Sequence, residues 1–130
     1  MIVPDASVLI EVLLRTPTAL EIEERLLNSH ESLHAPHLVD LEVAQVLRRY
    51  VQRGELTAAR GTASLDLLAQ FPIRRHGHEA LMSRIWLLRD NLTAYDAAYV
   101  ALAEGLRATL LTRDARIANA PGHTAKVELI

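Results

Sequence analysis

No two strand-like runs of this chain stand close enough to form a hairpin. The short runs Ile2–Pro4, Ser32–Ala35, Pro72–Arg75, Ala108–Thr112 and Lys126–Ile130 are each separated by a stretch long enough for a helix. Strands spaced in this way need crossover connections, and crossovers of that length join parallel strands. The pattern predicts an α/β fold: one short, largely parallel central sheet flanked by helices. A single domain over residues 1–130 is expected, since a chain of 130 residues buries about two thirds of its unfolded surface.

The helix signals between the strands are local. Ser7 opens an apolar stretch that runs to Leu14. Thr18-Ala-Leu-Glu21 has the form of a capping box and predicts a helix to about Asn28. Pro36 suits a first helical turn and Gly54 the position just past a helix end, bracketing a long helix. Thr57 starts a helix to Phe71, and Glu79–Arg89 carries an apolar face through Leu81, Ile85 and Leu88. Thr93-Ala-Tyr-Asp96 is a further start signal, for a helix that Gly105 ends.

Composition narrows the chemistry. There is no cysteine, hence no disulfide, no thiolate metal site and no cysteine nucleophile. No apolar run reaches the ~18 residues of a membrane span. The first segment carries Asp5 and Glu11 and lacks a basic start, so it does not have the form of a signal peptide, and a cytoplasmic location is expected. The net charge of −2 conceals an uneven distribution. Residues 1–31 are acidic, whereas residues 48–75 gather Arg48, Arg49, Arg53, Arg60, Arg74 and Arg75 against Glu55 and Asp66. Every basic residue but Lys126 is arginine, which is suited to bidentate contact with phosphate or carboxylate.

Four carboxylates fall at telling places. Asp5 follows the first strand and Asp114 follows the strand Ala108–Thr112. Open parallel sheets bind ligands outside the carboxyl ends of their strands. Asp96 lies in the first turn of the helix that feeds the second of these strands. Glu42 sits about 40–60° from Val39 and Val46 around its helix, on the border of the apolar stripe. Each also has a structural reading: Asp5, Asp96 and Asp114 as helix-start residues, Glu42 as a partner for an arginine such as Arg49. Carboxylates gathered in one cleft repel one another and burial raises their pKa values; a hard divalent cation removes the conflict. With no His or Cys at these positions, hard-metal chemistry is expected rather than zinc, and metal-assisted phosphodiester hydrolysis follows.

Together IVPDASVLIEVLL, HLVDLEVAQVLRR, LTAYDAAYVALAEGL and LLTRDARIA resemble the PIN-domain family, most closely its VapC toxin branch, over essentially the whole chain. The pair YDAAYVALA and LLTRD at this interval is the specific part. The resemblance implies a Mg²⁺- or Mn²⁺-dependent endoribonuclease whose acidic pocket is Asp5, Glu42, Asp96 and Asp114. By that carry-over Asp5 and Asp96 ligate metal directly. Glu42 and Asp114 act through water, hold a second ion, or orient the attacking water. Ser7 and Thr112 support the pocket, and Arg113 and Arg116 hold RNA phosphate. It also implies a homodimer, a VapB-type antitoxin partner, and structured RNA such as tRNA or rRNA as substrate, with no membrane partner. Pro4 departs from the family pattern, because proline cannot donate to a sheet ladder.

Other residues carry blander expectations. Asp40 and Asp90 are read as structural, His34, His37, His76 and His78 as surface residues rather than ligands, and Trp86 as a core or dimer contact. Trp86 and Tyr95 are also candidates to stack bases, while Tyr95 and Tyr99, four apart, have the spacing to pack along one helix side. Two other function classes remain open. A haloacid-dehalogenase-type phosphatase would want an aspartate where Ser7 stands, and a receiver domain a lysine earlier than Lys126. A non-catalytic RNA- or protein-binding module would not need the full acid set.

Overall fold

The computed structural model describes residues 1–28 and 30–130. Its strands are β1 (Ile2–Pro4), β2 (Leu33–Pro36), β3 (Ile73–His76), β4 (Thr109–Thr112) and β5 (Lys126–Leu129). Its helices are α1 (Ala6–Leu13), α2 (Ala19–Leu27), α3 (Leu38–Gln52), α4 (Ala58–Gln70), α5 (Met82–Leu87), α6 (Ala94–Leu106) and α7 (Ala115–Asn119). All five strands are parallel, in the order β3-β2-β1-β4-β5. The α/β expectation holds, and the sheet is wholly rather than largely parallel.

Right-handed crossovers place α1–α4 on one face and α5–α6 on the other. The packing agrees: α1 touches α2, α3 and α4, whereas α5 packs on α6, which lies across β1, β2 and β4. Central strands covered on both faces read as continuous apolar runs. Ile2, Val3, Leu110 and Leu111 are accordingly buried, and α6 is buried from Ala97 through Ala103. Bidentate ion pairs tie distant elements at the rim: Arg25 to Glu128, Arg75 to Asp40 and Arg84 to Glu104. Asp40 is structural, as expected.

Several local expectations are corrected. Thr18 does not cap α2 with its side chain: its hydroxyl donates to Glu11 and accepts from Arg113, and its backbone is already helical. Pro36 ends β2 instead of opening α3, because pairing with β3 runs through Pro36 and His76 and is closed by the His37 amide on the His76 carbonyl. Residues 79–89 are not one helix but a 3₁₀ turn, Glu79–Leu81, followed by the short α5. Gly105 lies inside α6; Leu106 continues the helix against the core, and Arg107 takes the left-handed position (φ 53°), which costs a non-glycine residue about 1–2 kcal/mol. Gly54 does close α3 at φ +73°. Trp86 is not a core residue, being 66% exposed. His34 is buried, not on the surface, and shares a 2.9 Å hydrogen bond with His76.

Pro4 acts on one side of β1 only. Toward β4 the pairing continues to Pro4 opposite Leu111, and the next amide, Asp5, donates to the Leu111 carbonyl. Toward β2 the pairing is confined to Ile2 opposite Leu33, with the Ile2 amide on the Ser32 carbonyl. Alternation along a strand turns the nitrogen of residue 4 to that same side, where the next rung would run to the His34 carbonyl. Proline cannot supply it, and the β1–β2 ladder stops. In Pro4→Val the new amide should therefore be protected from hydrogen exchange as strongly as that of Asp5. Stability should change by less than about 1 kcal/mol, since the added hydrogen bond offsets the loss of proline's rigidity in the unfolded chain. Rapid exchange at residue 4 would show instead that β1 and β2 splay apart beyond Ile2.

Candidate active site

The sheet is built outward from β1 through β2 and β3, and then from β4 through β5 on the other side. The reversal lies between β1 and β4, and the crevice outside their carboxyl ends is where such sheets bind ligands. Asp5 follows β1, and Asp114 lies just beyond β4. Because α6 returns the chain to the start of β4, its N-terminal turn, with Asp96, is at this same edge. Glu42 lies near the start of α3, which leaves the carboxyl end of β2. All four carboxylates line one cavity of about 830 Å³.

Asp5 is the most enclosed, only 6% exposed. Ser7 Oγ donates to its Oδ1, Thr112 Oγ1 donates to its Oδ2, and the Val8 amide adds a 3.2 Å bond to Oδ1. Those hydroxyls are themselves held: the Arg113 amide donates to Ser7 Oγ and the Asp114 amide to Thr112 Oγ1. Burial pushes the Asp5 carboxyl above its ordinary range, and the bonds from Ser7, Thr112 and Val8 oppose that shift. Asp5 thus caps α1 and also lines the cleft with the other three acids.

Glu42 shows the strain of the cluster most clearly. Its Oε1 is buried without a hydrogen-bond partner, and it makes no ion pair with Arg49 among the described residues. Its carboxyl is raised chiefly by burial and further by the charges of Asp96 and Asp5, while the neighbouring Tyr99 hydroxyl, itself outside hydrogen-bonding geometry, opposes this. Asp96 is raised by burial and by Asp114, against the Thr93 hydroxyl and Arg116. Asp114 differs: it caps α7 through the Arg116 amide, and the Arg116 guanidinium holds its carboxyl below the usual range. Helix N-termini favour negative charge. Asp5 at α1, Asp96 in α6 and Asp114 at α7 all draw on that effect.

This donor set fits a hard divalent cation. The lining of the cleft supplies carboxylate oxygens and no imidazole or thiol, and one buried carboxylate oxygen lacks a partner. Among the described residues, no three such groups are close enough to form a cage by themselves. Mg²⁺ characteristically takes one or two carboxylates and keeps its waters. Arg113 is turned to Glu11 and Thr18 and is not part of the cleft lining. Tyr99 is the residue that sequence reading missed. It is buried beside Glu42, whereas Tyr95 is 65% exposed, and the signal was its place one turn after Asp96.

A carboxyl whose pKa is raised on folding gains stability as pH falls into the acidic range and loses it as pH rises through the folded value. For Glu42 that loss begins as pH rises above the ordinary glutamate range. In chelator-treated buffer, Glu42→Gln should be more stable than the parent at neutral pH by urea unfolding. The difference should shrink as pH falls toward the ordinary glutamate range. A variant less stable than the parent at neutral pH would mean that the carboxylate has a satisfying partner.

The chain matches the PIN-domain family model over residues 2–122. It is 45% identical over 119 residues to the VapC ribonuclease Mb0985 of Mycobacterium bovis, covering 92% of this chain and 90% of that one. Among solved structures, VapBC2 from Rickettsia felis bound to a DNA fragment from its promoter superimposes with a TM-score of 0.74 at 14% identity, over 99% of this chain and 98% of that one. Mycobacterium tuberculosis VapC20, a Sarcin-Ricin loop cleaving toxin, gives 0.69 at 16% identity, over 95% and 97%. The two structural likenesses speak to the fold; the sequence identity, over nearly the whole length, goes further. The chain belongs to the PIN-domain family and to its VapC ribonuclease branch.

Proposed function

We propose that this protein is a divalent-cation-dependent endoribonuclease, the toxin of a VapBC-type pair, which hydrolyses phosphodiester bonds of structured RNA and so inhibits translation. One observation carries the reading. Asp5, Glu42 and Asp96 share one cleft at the β1–β4 reversal, each with its carboxyl pushed up, and Glu42 leaves a buried oxygen unpartnered. Such a site is incomplete without positive charge. The relatives' name supports RNA as the substrate class, and the Rickettsia felis neighbour, a VapBC complex, supports a VapB-type antitoxin partner.

Asp5 and Asp96 are assigned as direct ligands of Mg²⁺ or Mn²⁺, with Glu42 and Asp114 beside them. The bound cation supplies activation of water and charge stabilisation at phosphorus. Ser7 and Val8 occupy Oδ1 of Asp5 and Thr112 one side of Oδ2, which leaves the second lone pair of Oδ2 for a ligand. Glu42, held above the ordinary carboxylate range with a free oxygen, orients the attacking water and accepts its proton. Arg116 neutralises Asp114 in the resting site; it and Arg113 contact phosphate only by leaving Asp114 or Glu11. No helix among the described residues is long and apolar enough to cross a membrane. A cytoplasmic homodimer completes the proposal.

Total RNA incubated with purified protein should be cut with Mg²⁺ present and left intact with EDTA. Asp5→Asn should lower cutting by about 100-fold or more, because it alters a metal-facing carboxylate. Circular dichroism should show the variant folded. Equal cutting in all three arms would contradict the assignment. Rapid hydrolysis of a small phosphate ester with RNA inert would revive the phosphatase reading.

A further inference from the structure

Of the thirteen arginines, five are ion-paired among the described residues, and of the others only Arg48 and Arg49 line the cleft. Arg25, Arg75, Arg84, Arg113 and Arg116 are each paired to a carboxylate, as Glu128, Asp40, Glu104, Glu11 and Asp114 respectively. Arg48 and Arg49 are exposed and line the cleft, and their guanidinium groups make no ion pair or hydrogen bond among the described residues. They stand on the same helix as Glu42. On α3, Glu42 and Arg49 are separated by roughly two turns, so they share a face about 10 Å apart along the axis. One cleft therefore has an acidic floor at the β1–β4 edge and a free cationic wall on the C-terminal half of α3. Tyr95, 65% exposed, stands on the α6 side of the same cleft.

An unpaired arginine facing an acidic cluster gains nothing from the resting protein alone beyond weak, screened attraction. A polyanion resolves the arrangement. Its reacting phosphate lies over the acids with their counter-cation, and a neighbouring phosphate meets the planar fork of a guanidinium, whose geometry matches phosphate bidentately. We propose that Arg48 and Arg49 form the phosphate track of this cleft, binding the RNA backbone beside the scissile bond while Tyr95 offers a ring face to an adjacent base. This rests on the ribonuclease reading of the acidic end and adds the residues that hold the substrate there. Arg48 and Arg49 are positioned for this without first giving up a carboxylate partner, as Arg113 and Arg116 must.

The test measures binding apart from cleavage. A fluorescein-labelled RNA hairpin with a single-stranded loop is titrated by anisotropy against Asp5→Asn protein over a range of salt. In that background, Arg48→Gln/Arg49→Gln should weaken binding about tenfold or more. It should also reduce the slope of log affinity against log salt by about 1.4, the loss of two contacts at ~0.7 each on single strands. Arg53→Gln, at the end of α3 and outside the cleft lining, is the charge control and should shift binding less than about twofold. With Asp5 restored, the double variant should raise KM for RNA about tenfold while kcat stays within about threefold. Unchanged affinity and salt slope would overturn the proposal. So would a loss of binding that tracks a change in oligomeric state by sedimentation. If the parent protein cuts no RNA while arginine-dependent binding persists, the ribonuclease reading fails and the phosphate track stands.

Discussion

The site depends on how one carboxylate is held. Asp5 follows β1, Thr112 ends β4, and the Thr112 hydroxyl donates to the Asp5 carboxylate across 107 positions of sequence. Ser7 closes the other side of the same group, and the amides of Arg113 and Asp114 fix both hydroxyls in turn. The loop after β4 is thereby tied to the first turn of α1, and Asp114 is delivered to the cleft. The Thr112 bond is buried and those of Ser7 and the Asp114 amide are part-buried; an unpaired buried polar group costs about 1–3 kcal/mol. The contact also exists only when β1 and β4 are neighbours, so the strand order that makes the fold makes the site.

The cleft is arranged against the stability of the protein around it. Three carboxyls are pushed up by burial, Glu42 further by Asp96 and Asp5 and Asp96 further by Asp114, and helix N-termini relieve only part of that. Among the described residues, Asp114 alone of the four is ion-paired in the resting state, with Arg116. Elsewhere, at the rim of the sheet, acids meet arginines in bidentate pairs. The difference is one of placement: the rim acids are neutralised by arginines, whereas Asp5, Glu42 and Asp96 in the cleft have no ion pair among the described residues.

Much of this was legible in the sequence because its signals were local. Strand runs separated by helix-length stretches gave the parallel sheet, and a strand's carboxyl end marked Asp5 and Asp114. The edge at which Asp96 sits could not be read, since it depends on α6 returning to β4 across the reversal. The errors fell where a distant partner displaced a local preference. Thr18 gave up its cap for Glu11 and Arg113, Pro36 was drawn into β2 by pairing with β3, and Leu106 carried α6 past Gly105. Tyr99 was read as packing because its neighbour Glu42 comes from another helix. Pro4 looked like damage to β1, yet its missing donor affects only the rung toward β2, and the side that carries Asp5 is intact.

The central claim is that these carboxylates act together as a receptor for a divalent cation. It is tested most directly by titrating Mn²⁺ into the metal-free protein in a calorimeter at neutral pH. The account predicts saturable binding that is lost in Asp5→Asn. Binding that is absent from the parent protein, or indifferent to Asp5, would contradict it.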